Sequence, residues 1–197
     1  MNILILSISF FYIGNIFAFI PNSFSAKFEQ VYKSSLTGKD KRSSGRIDYK
    51  YPKNVKLEIK KPEQTIFVSN SQKSWYYSPP FIEGEAGSLT IKKRQEGPAR
   101  LFDILKKGLK SNKSYKVKKI KNRFQITFSP KIVKKMDIAH AFLTFSGSNN
   151  FIQLKTVSIE YVNRPTVTLH FSEIKQNITF DNQYFQFFPP PNTRLNN

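Results

Sequence analysis

Between Ile47 and Pro80 the chain reads IDYKYPKNVKLEIKKPEQTIFVSNSQKSWYYSPP, and apolar side chains recur at every second position through several short runs. A period of two sends successive side chains to opposite faces of an extended backbone, so each run describes a strand with one oily and one wet face. In GRIDYKY, Ile47, Tyr49 and Tyr51 share a face opposite Arg46, Asp48 and Lys50; in VKLEIK, Val55, Leu57 and Ile59 oppose Lys56, Glu58 and Lys60. Ile66 and Val68 are expected to pair with Trp75 and Tyr77 across the turn SNSQK, and the prolines of SPP end that strand because proline cannot donate to a ladder. Short connections between such runs build an antiparallel meander.

The rhythm continues downstream. KSYKVKKIKNRFQITFSP reads as a hairpin turning at Lys121 to Arg123, with Phe124, Ile126 and Phe128 on one face. FIQLKTVSIEYVNRPTVTLHFSEI reads as a second, longer hairpin in which Val157, Ile159 and Tyr161 face the same way as Val167, Leu169 and Phe171. IVKKMDIAHAFLTFSGSNN has an ambiguous start and ends as a strand, and the tail FDNQYFQFFPPPNTRLNN is extended, then proline-locked. One segment breaks the pattern: EGPARLFDILKKGL opens with Gly97 and Pro98, spaces Leu101, Ile104, Leu105 and Leu109 near a helical period, and can stop at Gly108. The fold class is mainly β (α+β), an antiparallel sheet with one short amphipathic helix. Such a sheet either packs a solid core under the helix or curves so that the helix covers a mouth. Nineteen Phe and nine Tyr supply apolar surface for either outcome.

With 197 residues the chain is long enough for one domain with a continuous core. Its opening, MNILILSISFFYIGNIFAF, carries no charged side chain and offers a small residue at Ala18, so residues 1–18 read as a secretory signal peptide and 19–197 as the exported domain. No cysteine is present, which removes disulfides, thiol catalysis, cysteine metal sites and a lipid-modified N-terminal cysteine together. Net charge is +19, and Lys92 to Arg123 hold 13 basic side chains against Glu96 and Asp103. Such a field attracts polyanions and anionic membrane surfaces. His140 and His170 stand apart from paired carboxylates and from metal-ligand spacing, and no G-x-S-x-G elbow is present, so neither catalytic residues nor a metal or cofactor is expected.

Several motifs follow one another along the chain: F-x-A-x-F-E-Q at Phe24, Ala26, Phe28, Glu29 and Gln30; a strand opened by Gly45 and closed by Pro52; the block PEQTIFVSNSQKSWYYSP from Pro62 to Pro79; the helix start at Gly97-Pro98; FQITFSP from Phe124; and FQFFPPPN from Phe185. Together they resemble the LolA family of periplasmic lipoprotein carriers. Ser71 stands where the family block carries a glycine, and Tyr51 stands where members often carry an arginine that hydrogen-bonds to the lid. The amphipathic helix that precedes the first strand in carriers is missing, or its place is taken by the N-terminal segment. The resemblance implies a curved antiparallel incomplete β-barrel with a helical lid over a hydrophobic cavity, acting in the periplasm as a monomer. Implied partners are acylated lipoproteins as cargo, an inner-membrane lipoprotein-releasing transporter and an outer-membrane acceptor. The similar acceptor, LolB, is anchored through a cysteine, which this chain lacks.

On that reading the cavity walls are Tyr49, Leu57, Ile59, Val68, Trp75, Tyr77, Phe128, Ile159 and Leu169, and the lid supplies Leu101, Phe102 and Leu105. Lys106, Lys107, Lys116, Lys118 and Lys119 form a basic docking surface suited to an anionic membrane. Nucleic acid is not expected as a partner. Two rivals remain: a lipid hydrolase, and an exported polyanion-binding module that stacks its ligand on Trp75, Tyr76 and Tyr77.

Overall fold

The structure, a computed structural model, describes residues 19–93 and 98–196; the expected signal peptide and Gly97 lie outside them. The strands are β1 (Ser23–Lys33), β2 (Asp40–Lys50), β3 (Asn54–Lys61), β4 (Thr65–Ser69), β5 (Ser74–Ser78), β6 (Gly87–Lys92), β7 (Tyr115–Ile120), β8 (Arg123–Phe128), β9 (Ile138–Phe145), β10 (Leu154–Tyr161), β11 (Val167–Gln176) and β12 (Thr193–Asn196). All lie in one 12-stranded sheet, ordered β12-β6-β5-β4-β3-β2-β1-β11-β10-β9-β8-β7. Its two edge strands, β12 and β7, do not pair with each other, so the curved sheet is an incomplete barrel. Neighbours are antiparallel except β12, which runs parallel to β6. Helix α1 spans Pro98–Leu105 and α2 Pro130–Met136.

The expected registers hold: Ile66 pairs with Tyr77, Val68 with Trp75, Val157 with Leu169 and Ile159 with Val167. β2 passes an irregularity at Ser44 and Gly45 where it meets β3, and a Cβ built on Gly45 would overlap the Glu58 carbonyl. Gly45, expected to open this strand, instead lies in its middle, because residues 40–44 continue the pairing with β1; close approach of a neighbouring backbone requires the glycine there.

Two elements differ from the sequence reading. The ambiguous stretch after Phe128 forms α2, started by Pro130 in its first turn and ended by Asp137, whose left-handed backbone (φ 59°) returns its N–H to the Val133 carbonyl at 2.8 Å. The tail, in addition, is more than an extended strap. It lies on the outer face of the sheet and closes with β12, where the Gly87 N–H donates to the Asn192 carbonyl at 3.1 Å.

That outer packing explains a buried carboxylate. Asp48, on the wet face by alternation, is only 1% exposed. The Tyr184 hydroxyl donates to it at 2.7 Å and the Arg46 Nε at 3.0 and 3.1 Å, while the Lys56 ammonium sits 4.9 Å from the Tyr184 ring centre. Phe180, Tyr184 and Phe185 cluster over this half of the sheet; Phe187 stacks near Tyr77 at 5.1 Å, and the Asn70 side chain donates to the Phe185 carbonyl at 3.2 Å. A buried carboxylate is tolerable because charge-assisted hydrogen bonds replace its water.

Candidate functional site

The inner face of the sheet carries α1 and a cavity of about 830 Å³. Cross-strand registry builds one wall as a row: Ile47 on β2 sits beside Leu57 on β3, Phe67 on β4, Tyr76 on β5 and Thr90 on β6, and all five line the cavity. Phe28 on β1 continues this wall, and Leu143, Val157, Ile159, Leu169 and Phe171 form it on the other side of β1. The roof is Leu101, Phe102 and Leu105 of α1, joined by Phe19 and Ile20. The volume is toward the upper end of the ~300–1,000 Å³ range of small-molecule sites, with the mostly apolar lining such sites share.

Beside the cavity the interior is solid. The Phe24, Tyr49 and Phe102 rings meet at centre distances of 5.2 to 5.3 Å, and the Phe24 ring lies 4.6 Å from that of Phe151. Filled core and lined hollow therefore coexist on one face.

An eight-residue helix is not stable alone, and α1 is held by its buried leucines and by two polar ties. The Tyr49 hydroxyl donates to Asp103 at 2.6 Å, and the Lys53 backbone N–H reaches the same oxygen at 3.2 Å. Burial, then the Asp103 hydrogen bond, raises the Tyr49 phenol well above the ordinary tyrosine value, so it stays a donor at physiological pH. One turn on, Lys106 donates to the Asn22 side chain at 2.7 Å and lies 4.9 Å from the Tyr51 ring centre. Desolvation lowers its pKa.

Of the residues expected on the walls, Leu57, Ile159 and Leu169 line the cavity, as do the expected lid residues Leu101, Phe102 and Leu105. Tyr49 and Phe128 are buried in the adjoining core and Ile59 packs against it. Val68, Trp75 and Tyr77 are placed differently: they fall in the outer rows, with Asp48 and Lys56 or with Ile66 and Leu89. The error is one of parity. Phe67 and Tyr76 continue the inner row from Leu57, and Val68, Trp75 and Tyr77 lie one residue along from that row, a step that exchanges the faces of a strand. Counting in steps of two from Leu57 through the β3–β4 pairing is the signal that finds Phe67.

The basic positions are also dispersed. Lys106 is engaged as above, Lys107 donates to the Ser114 hydroxyl at 3.1 Å, and Lys116, Lys118 and Lys119 are exposed on the edge strand β7. Lysines on an edge strand discourage pairing with other chains whatever else they do.

Comparison with known sequences supplies the remaining observation. The family described as outer membrane lipoprotein carrier protein LolA matches residues 21–188. The chain belongs to this family. A LolA relative, the outer-membrane lipoprotein carrier protein of Serratia proteamaculans (strain 568), is 26% identical over 174 residues, covering 88% of this chain and 81% of that one. The protein of the same description from Francisella tularensis subsp. tularensis (strain WY96-3418) is 25% identical over 177 residues, with the same coverage of 88% and 81%. A solved LolA superfamily structure from Nitrosomonas europaea aligns with a TM-score of 0.47 at 11% identity, covering 85% of this chain and 92% of that one. Within the LolA pattern, Tyr51 packs under Lys106, while the hydrogen bonds from β2 and the following turn to the lid come from Tyr49 and the Lys53 backbone.

Proposed function

We propose that this protein is a periplasmic carrier that shelters the acyl chains of lipoproteins in its inner-face cavity and moves them from the inner to the outer membrane. The observation that supports it is the cavity of about 830 Å³, walled by Leu57, Phe67, Val157, Ile159 and Leu169 and roofed by α1. Acyl chains leave a bilayer only if comparable apolar surface replaces it, since each buried methylene contributes about 0.8 kcal/mol. Release requires that the fit be loose and the roof movable, and a roof of eight residues held by a few polar ties meets that need. Binding, rather than catalysis, is the role assigned, with cargo received from a releasing transporter and passed to an acceptor.

The polyanion-binding alternative is disfavoured by one observation. Trp75, Tyr76 and Tyr77 do not share a face, and Tyr77 is buried beneath the tail.

The test is to purify the exported protein without detergent and identify bound acyl species by mass spectrometry. Acylated lipoprotein or its triacylated N-terminal peptide is expected at near-stoichiometric yield from wild type and at under about a tenth of that from Leu57→Glu, whose charge apolar cargo would have to desolvate. Wild type recovered with no acyl species, after co-incubation with a solubilised lipoprotein, would end the proposal.

A further inference from the structure

The cavity wall is mostly apolar, and among the described residues its ionic side chains are mainly cationic. Among the described residues lining it, five are cations, Lys92, Arg100, Lys134, Lys135 and Arg164, and one is a carboxylate, Asp137. The cations come from four places in the fold: the end of β6, α1, the last turn of α2, and the turn between β10 and β11. Asp137 is already engaged. The Arg164 Nε donates to it at 3.0 Å and the Asn163 side chain at 3.1 Å, and the Arg164 guanidinium also stacks 4.1 Å from the Tyr161 ring centre. Lys134 and Lys135 complement the C-terminal carbonyls of α2, which accounts for their sign but not for their convergence with Arg100 on one hollow. Charges of one sign around a low-dielectric concavity reinforce each other's potential there.

We infer that the cavity takes acyl lipids with an anionic headgroup, a glycerophospholipid phosphate meeting Arg100, Lys134 and Lys135 while its chain occupies the apolar interior. This rests on the acyl-carrier reading and adds to its lipoprotein cargo a second class, free anionic acyl lipids. The thioether, ester and amide groups that join chains to a lipoprotein are uncharged and give such a rim nothing to neutralise. A phosphodiester accepts several charge-assisted hydrogen bonds at once, and arginine can grip it through two.

The experiment uses two lysolipids of identical chain below their micelle concentrations, lysophosphatidylglycerol and lysophosphatidylcholine, each displacing an uncharged polarity-sensitive dye from the full exported chain. Wild type is expected to bind the anionic lipid about tenfold more tightly at low salt, with the preference shrinking as salt rises. Arg100→Gln combined with Lys134→Gln and Lys135→Gln is expected to bring the two affinities within about twofold by a larger loss at the anionic lipid, whose phosphate charge no choline offsets, whereas Lys116→Gln with Lys118→Gln, on the edge strand, leaves the preference standing. Equal affinities in wild type would overturn the inference and leave acyl carriage intact. A preference untouched by the triple substitution would also overturn it, by tracing selectivity to overall charge. Failure of both lipids to displace the dye would likewise overturn the inference, while the lipoprotein co-incubation above decides the acyl-carrier reading separately.

Discussion

Asp103 is the residue through which the sheet holds the lid. Replacing it by alanine leaves the buried Tyr49 hydroxyl without its acceptor, a cost of about 1–3 kcal/mol that falls mainly on α1. Amide exchange of residues 98–105 in Asp103→Ala is therefore expected to accelerate about tenfold or more relative to the sheet; unchanged protection would show that the leucines alone hold the helix. Tyr49, Tyr115, Tyr161 and Tyr184 each keep their protons above the ordinary tyrosine value of 10.0, with burial the largest cause. Raised folded-state values mean that the native chain binds more protons than the unfolded chain above that pH. Their contribution is fully present below pH 10 and declines as pH rises through the folded values. Tyr49→Phe should make the urea-stability curve shallower between pH 10 and 11 by somewhat under one proton, or roughly 1 kcal/mol per pH unit. Identical slopes would mean that this phenol is not held neutral. Gly45→Ala, which sets a methyl group against the Glu58 carbonyl, is expected to destabilise by about 1–3 kcal/mol in the same assay.

Among the elements, the tail was the least legible. Its aromatic residues are evident in FDNQYFQFF, but alternation within β2 assigns Asp48 to solvent, and nothing local to Asp48 announces that Tyr184, 136 positions away, will cover it. The helix α1 and the hairpin β7–β8 were legible because their signals are local: a proline start, helical leucine spacing, and Phe124, Ile126 and Phe128 in step. Removing residues 180–197 should expose Val68, Tyr77 and the Asp48 carboxylate together, and the single change Tyr184→Phe should cost about 1.5–3 kcal/mol by deleting a hydrogen bond to a buried charge. Equilibrium urea unfolding checks both. A truncated chain as stable as the full one would make the tail a passive strap.

For the whole molecule, an open sheet with a hollow on one face separates two functions of charge and grease. Leu57→Glu strikes the hollow and is expected to lower acyl uptake at least about tenfold at any salt concentration, because a carboxylate on the wall must lose its water when an acyl chain covers it. Lys116→Glu, exposed on edge strand β7, is expected to leave uptake within about twofold and chiefly to alter its dependence on salt when cargo is presented on anionic vesicles. Dye-displacement titrations at low and high salt distinguish the two, and equal losses in both variants would contradict the assigned faces.

Alternation and turns determined by themselves that this chain makes a two-faced antiparallel sheet with one short amphipathic helix, since strand period and helix start depend on neighbours a few residues apart. The family was legible for a similar reason, its motifs being runs such as PEQTIFVSNSQKSWYYSP. Tertiary structure alone decided which oily face encloses space. Val68 and Tyr77 are buried on the outer face, where Phe187 of the tail packs against Tyr77, and the hollow opens against Leu57 and Phe67 on the inner one. Hydrophobicity specifies that a face must be covered and is indifferent to what covers it, whether a lid, a distant strap or a ligand; that choice is made by contacts between segments far apart in the chain.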